Sequence, residues 1–186
     1  LFEETNMESL DRLFEETLRD VYYAEKAILK NLPKMAKNAN STDLASAFET
    51  HIEETEAQVE RLEQIFEMIG KAPRGKRCPA IDGLAEEAAE IMKEAKDDMV
   101  RDAGMLAAAQ AVEHYEIARY GTLAAWAEKL GLSEVVPLLE ATLEEEKATD
   151  QKLTELADLE INVEANNAAE KNETNKPRGP KKAASK

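Results

Sequence analysis

Four long stretches of this sequence repeat apolar residues at spacings of three and four, and each interrupts its own apolar seam near mid-length. In the first, Phe14, Leu18, Val21, Ile28 and Leu32 form the seam and Glu25 occupies the missing slot. In the third, Met105, Ala109, Val112, Tyr120, Leu123 and Ala127 enclose Glu116, with Glu113 one turn earlier. In the fourth, Leu139, Leu143, Leu153 and Ala157 are interrupted by Glu146 and Asp150. The second carries His51, Glu54, Thr55 and Gln58 between Phe48 and Leu62. A carboxylate facing a bundle interior is costly unless something pairs with it. Several converging at similar depth are what a buried two-metal site in a four-helix bundle requires.

Composition narrows the class. Charged residues make up 34% of the chain and aromatic ones 5%, a usage that with sustained helical periodicity points to an all-α fold. A net charge of −15 argues against nucleic acid or an anionic membrane as partner of the folded part. No apolar run approaches the ~18 residues of a membrane span. The single Cys78 can form no internal disulfide, which fits a cytoplasmic location. Its neighbours Lys76 and Arg77 make a reactive thiol conceivable, beside the plainer reading of a loop cysteine.

The first helix is expected over residues 9–37, with Pro33 kinking or tightening its last turns. Ser41 or Thr42 caps a second that runs to Ile69 and stops at Gly70. A loop with Pro73 and Gly75 leads to a shorter helix over 81–96, and a third long helix spans 98–130. Ser133 is expected to cap the fourth, which holds Pro137 in its first turns and ends near Asp158. Short first and last connections make two antiparallel hairpins. About 25 residues between them suffice to cross a bundle lengthwise, the ferritin-like connectivity of a four-helix bundle with an extra crossover helix. A shift of 91 residues lays Val21-Tyr22-Tyr23-Ala24-Glu25 on Val112-Glu113-His114-Tyr115-Glu116, a weak repeat that makes Glu25 and Glu116 equivalent. Residues 1–160 are expected to form the bundle and 161–186 a polar tail, disordered at least from Asn166. Its basic end, Lys176 to Lys182, faintly resembles a nucleic-acid-binding arm, with a solubilising tail as the simpler reading.

A di-metal carboxylate site commonly draws a Glu from two helices and a Glu-x-x-His pair from each of the others. Glu25 and Glu116 suit the first role, and Glu113 and Glu116, at i and i+3, share a face. No Glu-x-x-His occurs. The second helix offers His51-Ile52-Glu53-Glu54 in reversed order, with Gln58 a turn later, and the fourth offers Glu146 and Asp150. Only His51 and His114 can supply nitrogen. The candidate metal ligands are therefore Glu25, His51, Glu54, Glu113, Glu116, Glu146 and Asp150. The seam phase favours Glu146 over Glu145. With 39 acidic residues, some fall near seams by chance, and His51 on its own also reads as a hydrogen-bonded core histidine.

The stretches Leu18 to Lys26, His51 to Arg61, Val112 to Ala118 and Thr142 to Asp150, with Gly83-Leu84-Ala85-Glu86-Glu87 in the crossover, resemble the YciF/YciE stress-protein family. The likeness covers roughly residues 9–157. It implies a ferritin-like, rubrerythrin-related bundle of bacterial and cytoplasmic origin, linked to stress, with a metal site and a tendency to dimerise. Carried over residue by residue, the rubrerythrin pattern puts Glu25, Glu54, Glu113, Glu116 and Glu146 in ligand positions. The two histidines that it expects are Ala57 and Thr149 here, and no CxxC pair exists, so electrons would need an external donor.

Two functions follow as expectations. The first is a divalent-metal site, iron or manganese and dinuclear, between the hairpins, giving an oxidoreductase of the ferroxidase or peroxidase type in oxidative or metal stress protection. The second is a non-enzymatic acidic helical protein acting as a dimer, its buried carboxylates paired to Lys26, Arg101, Arg119 or Lys147. A homodimer is expected in either case, because Phe2, Tyr22, Tyr23, Tyr115, Tyr120 and Trp126 exceed what the seams need. Rings packed beneath the crossover helix are the alternative.

Overall fold

The hairpin α1–α2 forms because each helix carries one apolar stripe and the connection is too short to do anything but reverse the chain. In the computed structural model, which describes residues 8–174, α1 is Leu10–Asn38 and α2 is Thr42–Met68. Pro33 leaves α1 helical to Asn38. Ser41 caps α2 by accepting from Leu44 N, and Asp102 at 0% exposure locks the turn by accepting from Asn40 N and Ser41 N at 2.9 and 2.7 Å.

The crossover holds α3, Pro79–Glu94, and the second hairpin pairs α4, Asp98–Lys129, with α5, Val136–Leu156. Gly70 and Gly131 end α2 and α4 at φ of 69° and 73°, the left-handed conformation that glycine adopts without penalty. Helix α5 begins at Val136 without a side-chain cap, three residues after the expected cap Ser133. The intervening turn bonds through the backbone, Val135 N and Val136 N both donating to Leu132 O.

Contacts α1–α2, α4–α5, α1–α4 and α2–α5 close a four-helix bundle, and α3 lies against α1 and α4. No strand occurs among the described residues. The fold is all-α, with ferritin-like connectivity of two hairpins joined by a long crossover. The interior has two apolar halves. One holds Ile28, Leu32, Phe48, Met105 and Leu153; the other holds Phe14, Leu18, Phe66, Tyr120 and Leu139. The acidic seam residues lie on the same helices as both halves.

Helical structure continues past the expected end near Asp158. A π-helical turn over Ala157–Ile161 leads into α6, Asn162–Thr174, so helix covers the start of the stretch whose composition suggests disorder. Ala157 and Ile161 are buried and α6 packs on α4, which extends the core beyond what the polar composition implies. The basic end from Lys176 lies outside the described residues, as does Phe2. Among the described residues no helix is long and apolar enough to cross a membrane.

Candidate metal centre

Each long helix turns at least one ionisable side chain into the bundle. Glu25 from α1, His51 from α2, Glu113 and Glu116 from α4 and Glu146 from α5 are all at most 4% exposed. Ligand atoms of His51, Glu113, Glu116 and Glu146 lie within 4.8 Å of one another. Glu25 stands outside that mutual distance but adjoins it, its carboxyl facing Glu116 and Glu146.

Glu54 and Asp150 lie apart from this group. The Glu54 side chain is 38% exposed; it approaches His51 Nδ1 at 3.4 Å and accepts from Thr149 at 3.4 Å. Asp150 bonds Gln110 Nε2 and His114 Nε2, both at 3.2 Å, on the outer side of α4 and α5. Hence His51 is the one histidine that reaches the cluster. Glu145 points away as well, clasped by Arg61 at 2.8 and 2.9 Å and by Gln58 at 3.2 Å, so that Glu146 is the inward residue of the acidic triplet.

Burial dominates the electrostatics. It pushes Glu25 and Glu113 up to about 8, with neighbouring carboxylates adding to the effect. Glu116 and Glu146 move well above the ordinary carboxylate range for the same reasons. For His51, burial works toward a lower value, but Glu54, Glu146 and Glu25 outweigh it and the imidazole is raised. These directions describe a protein that retains protons on its cluster unless another cation replaces them.

Buried carboxylates elsewhere show how this fold normally satisfies them. Glu16, 3% exposed, meets Arg12, Arg19 and Lys76 at 2.8–3.2 Å, and Asp102 takes backbone N–H groups. In the cluster, by contrast, no lysine, arginine or N–H group reaches Glu25 Oε2, Glu113 Oε2 or either oxygen of Glu116 and Glu146, whose nearest polar neighbours are one another, Glu116 beside Glu25 and Glu146 beside Glu113. His51 Nε2 lies 3.3 Å from Glu113 Oε1 but without hydrogen-bond alignment. Lys26, Arg101, Arg119 and Lys147, the cations that could have paired with them, are engaged elsewhere. Lys26 donates to Tyr22, Arg101 meets Asp98, Arg119 lies 3.9 Å from Asp20, and Lys147 meets Glu144. Orphaned oxygens on all sides of one buried point, with one nitrogen, fit a hard or borderline divalent cation such as iron or manganese.

Tyr120 is a residue of the centre that periodicity alone assigns to the core. Its hydroxyl, fully buried, donates a short hydrogen bond to Glu25 Oε1. The available signal was its position four residues after Glu116, on the same face of α4. Tyr120 and Tyr22 are core residues and offer no surface to a second subunit. Tyr23 and Tyr115 bond Asp82 and Asp20 around the start of α3, as the crossover alternative expects. Cys78 is buried at 1% exposure, 3.1 Å from the Tyr115 hydroxyl, and caps α3. That removes the exposure a reactive loop thiol needs.

Residues 9–166 match the family described as a domain of unknown function, DUF892. A curated protein, Protein YciF of Escherichia coli strain K12, is 46% identical over 88% of this chain and 99% of its own. The crystal structure of the E. coli stress protein YciF superposes with a TM-score of 0.80, covering 84% of this chain and 99% of that one. YcfI of Rhodopseudomonas palustris, provisionally described as a structural protein, is 50% identical over 83% of this chain and 98% of its own, also at 0.80. A protein of Xanthomonas campestris pv. campestris is more distant, 26% identical with a TM-score of 0.64, over 87% of this chain and 98% of its own.

Proposed function

The chain belongs to the DUF892 family and is a YciF-like stress protein, and from that premise we propose that it binds a pair of divalent ions, iron or manganese, in the bundle centre and acts in oxidative or metal stress protection. The observation that carries this reading is a set of buried carboxyls with no lysine or arginine among them, of which Glu113, Glu116 and Glu146 each bring an oxygen within 4.8 Å of one another and of a nitrogen of His51. His51, Glu113, Glu116 and Glu146 would hold the ions, with Glu25 completing the oxygen set from α1. An iron or manganese pair supplies the one-electron redox steps, Fe(II) oxidation or peroxide consumption, that these side chains cannot perform. The protein's part is placement. Glu54, beside Nδ1 of His51, favours the tautomer whose Nε2 lone pair faces the cluster. Tyr120 holds the Glu25 carboxyl at one oxygen and leaves the other free. Leu18, Phe48, Leu62 and Leu139, all at most 2% exposed, line the bundle on either side and keep bulk water out.

Metal analysis of protein from iron- or manganese-replete cells tests the proposal, repeated on Glu25→Ala and Glu116→Ala. About two ions per chain are expected in the wild type, in keeping with a two-metal site, and a several-fold loss in Glu116→Ala. Near-zero metal in all three proteins would end it.

The second reading, a non-enzymatic stress protein, is favoured by the structural description of the R. palustris relative. It requires that chelator leave the thermal midpoint unchanged and that added Fe(II) be oxidised no faster than in buffer. A metal-dependent rise in midpoint selects the first reading.

A further inference from the structure

Beneath α3 the bundle leaves a partly open cavity of about 50 Å³, several times the ~10–15 Å³ that one water needs by the same kind of measure. Small side chains create it: Ala27, Ala47, Ala85, Ala88, Ala108 and Ala109 all line it, where larger residues would fill the space. Leu32, Phe48 and Leu153 make the remaining wall apolar. Its rim, formed by the half-buried Ala27, Asn31, Leu84 and Ala85, lies between α1 and α3. Its inner end holds His51 and Glu113, two of the four members of the cluster. A route from the surface to the candidate metal centre is therefore lined almost wholly by hydrocarbon.

A second cleft, of about 100 Å³, opens between α2 and α5 beside Thr50, Glu54 and Lys152. Ala47, Thr149 and Leu153 line both spaces and form the partition between them. Glu54 on the wall of this second cleft approaches His51 Nδ1 at 3.4 Å, but no member of the cluster lines it. Hydrogen peroxide gains nothing from an apolar passage and would shed its water there. A molecule with a hydrocarbon end gains by burying that end.

We propose that the apolar cavity binds the organic group of an alkyl hydroperoxide and presents its O–O bond to the cluster at His51 and Glu113. This rests on the metal reading above and names the peroxide class that the centre consumes. The O–O bond breaks on accepting two electrons from two ferrous ions and two protons from solvent. One alcohol and one water form, and two ferric ions result.

Two measurements on the full chain test it. In the first, xenon serves as an apolar probe of the metal-free protein, read by its NMR shift. Binding is expected in the wild type and loss of binding in Ala85→Phe and in Ala27→Leu, two rim variants on different helices. In the second, iron-loaded protein is mixed with tert-butyl hydroperoxide or with hydrogen peroxide and ferrous oxidation is followed. The rim variants should slow the organic peroxide by about tenfold or more, the scale at which pocket sterics discriminate, and hydrogen peroxide by less than about twofold. A wild type that binds no xenon overturns the cavity assignment, and equal slowing of both oxidants overturns the selectivity. A wild type that takes up no iron overturns the proposed function and the peroxide step with it, while the xenon result still decides whether the cavity accepts apolar molecules.

Discussion

Glu116 and Glu16 are chemically the same residue, both buried, and the fold treats them in opposite ways. Glu16 is held by three cations and shifts below the ordinary range, whereas Glu116 is buried among other carboxyls with no cation to hold it and shifts well above it. The consequence can be measured in the metal-free protein. Burial pushes Glu25 and Glu113 up to about 8 in the folded protein, from the ordinary 4.5, and Glu116, Glu146 and His51 are raised too. Between those values the folded state holds more protons than the unfolded one. The stability contributed by these groups is complete below pH ~4.5 and is lost as pH rises through ~8. The thermal midpoint of metal-free protein should therefore fall from pH 5 to 8, and Glu116→Gln should flatten the slope. Saturating Mn(II) should reverse it, since metal displaces the protons. A midpoint that is level over that range in metal-free wild type would contradict the burial assigned to the cluster.

Among the elements, the joints carry more than the helices' own preferences. Asp102 opens no visible pattern in the sequence, yet from the first turns of α4 it accepts the backbone N–H groups of Asn40 and Ser41 and so fastens the α1–α2 turn to the second hairpin. Asp102→Ala leaves the buried N–H of Ser41 without an acceptor and turns that of the exposed Asn40 to water, and should cost about 2 kcal/mol, within the range of a charged hydrogen bond. Denaturant unfolding measures this. Metal content should stay at the wild-type level, because Asp102 lies at the end of the bundle and the cluster at its centre. The π-helical turn at Ala157–Ile161 is a second joint. It keeps Ile161 at 1% exposure while Leu159 is 83% exposed, prolonging the packed face into α6.

For the molecule as a whole, the homodimer stands as our proposal, and its grounds have changed. Tyr22 and Tyr120 are spent on the core and Tyr23 and Tyr115 on the crossover, which leaves the family resemblance and the half-buried Trp126. Sedimentation equilibrium at micromolar concentration should give twice the 20.7 kDa chain mass, and a single species at 20.7 kDa would refute the dimer.

Periodicity was enough to place all four long helices to within a few residues, because an apolar stripe repeating every three to four positions has one low-energy use. Connection length was enough for the two hairpins and the lengthwise crossover, because chain reach is a matter of distance alone. The seam also marked Glu25, Glu116 and Glu146 as inward, since each occupies a slot that a hydrocarbon would otherwise fill, but it marked Asp150 equally, and that side chain bonds Gln110 and His114 outside the cluster. Depth and partnership were not legible there. Glu54 and Glu113 each stand one turn from a seam residue, yet one is 38% exposed at the side chain and the other 2%. Which carboxylates found a cation, as Glu16 did, and which were left facing one another depends on neighbours far apart in the chain. The same holds for the helix beyond Leu156, where tertiary contact with α4 holds a segment whose own composition favours neither burial nor order.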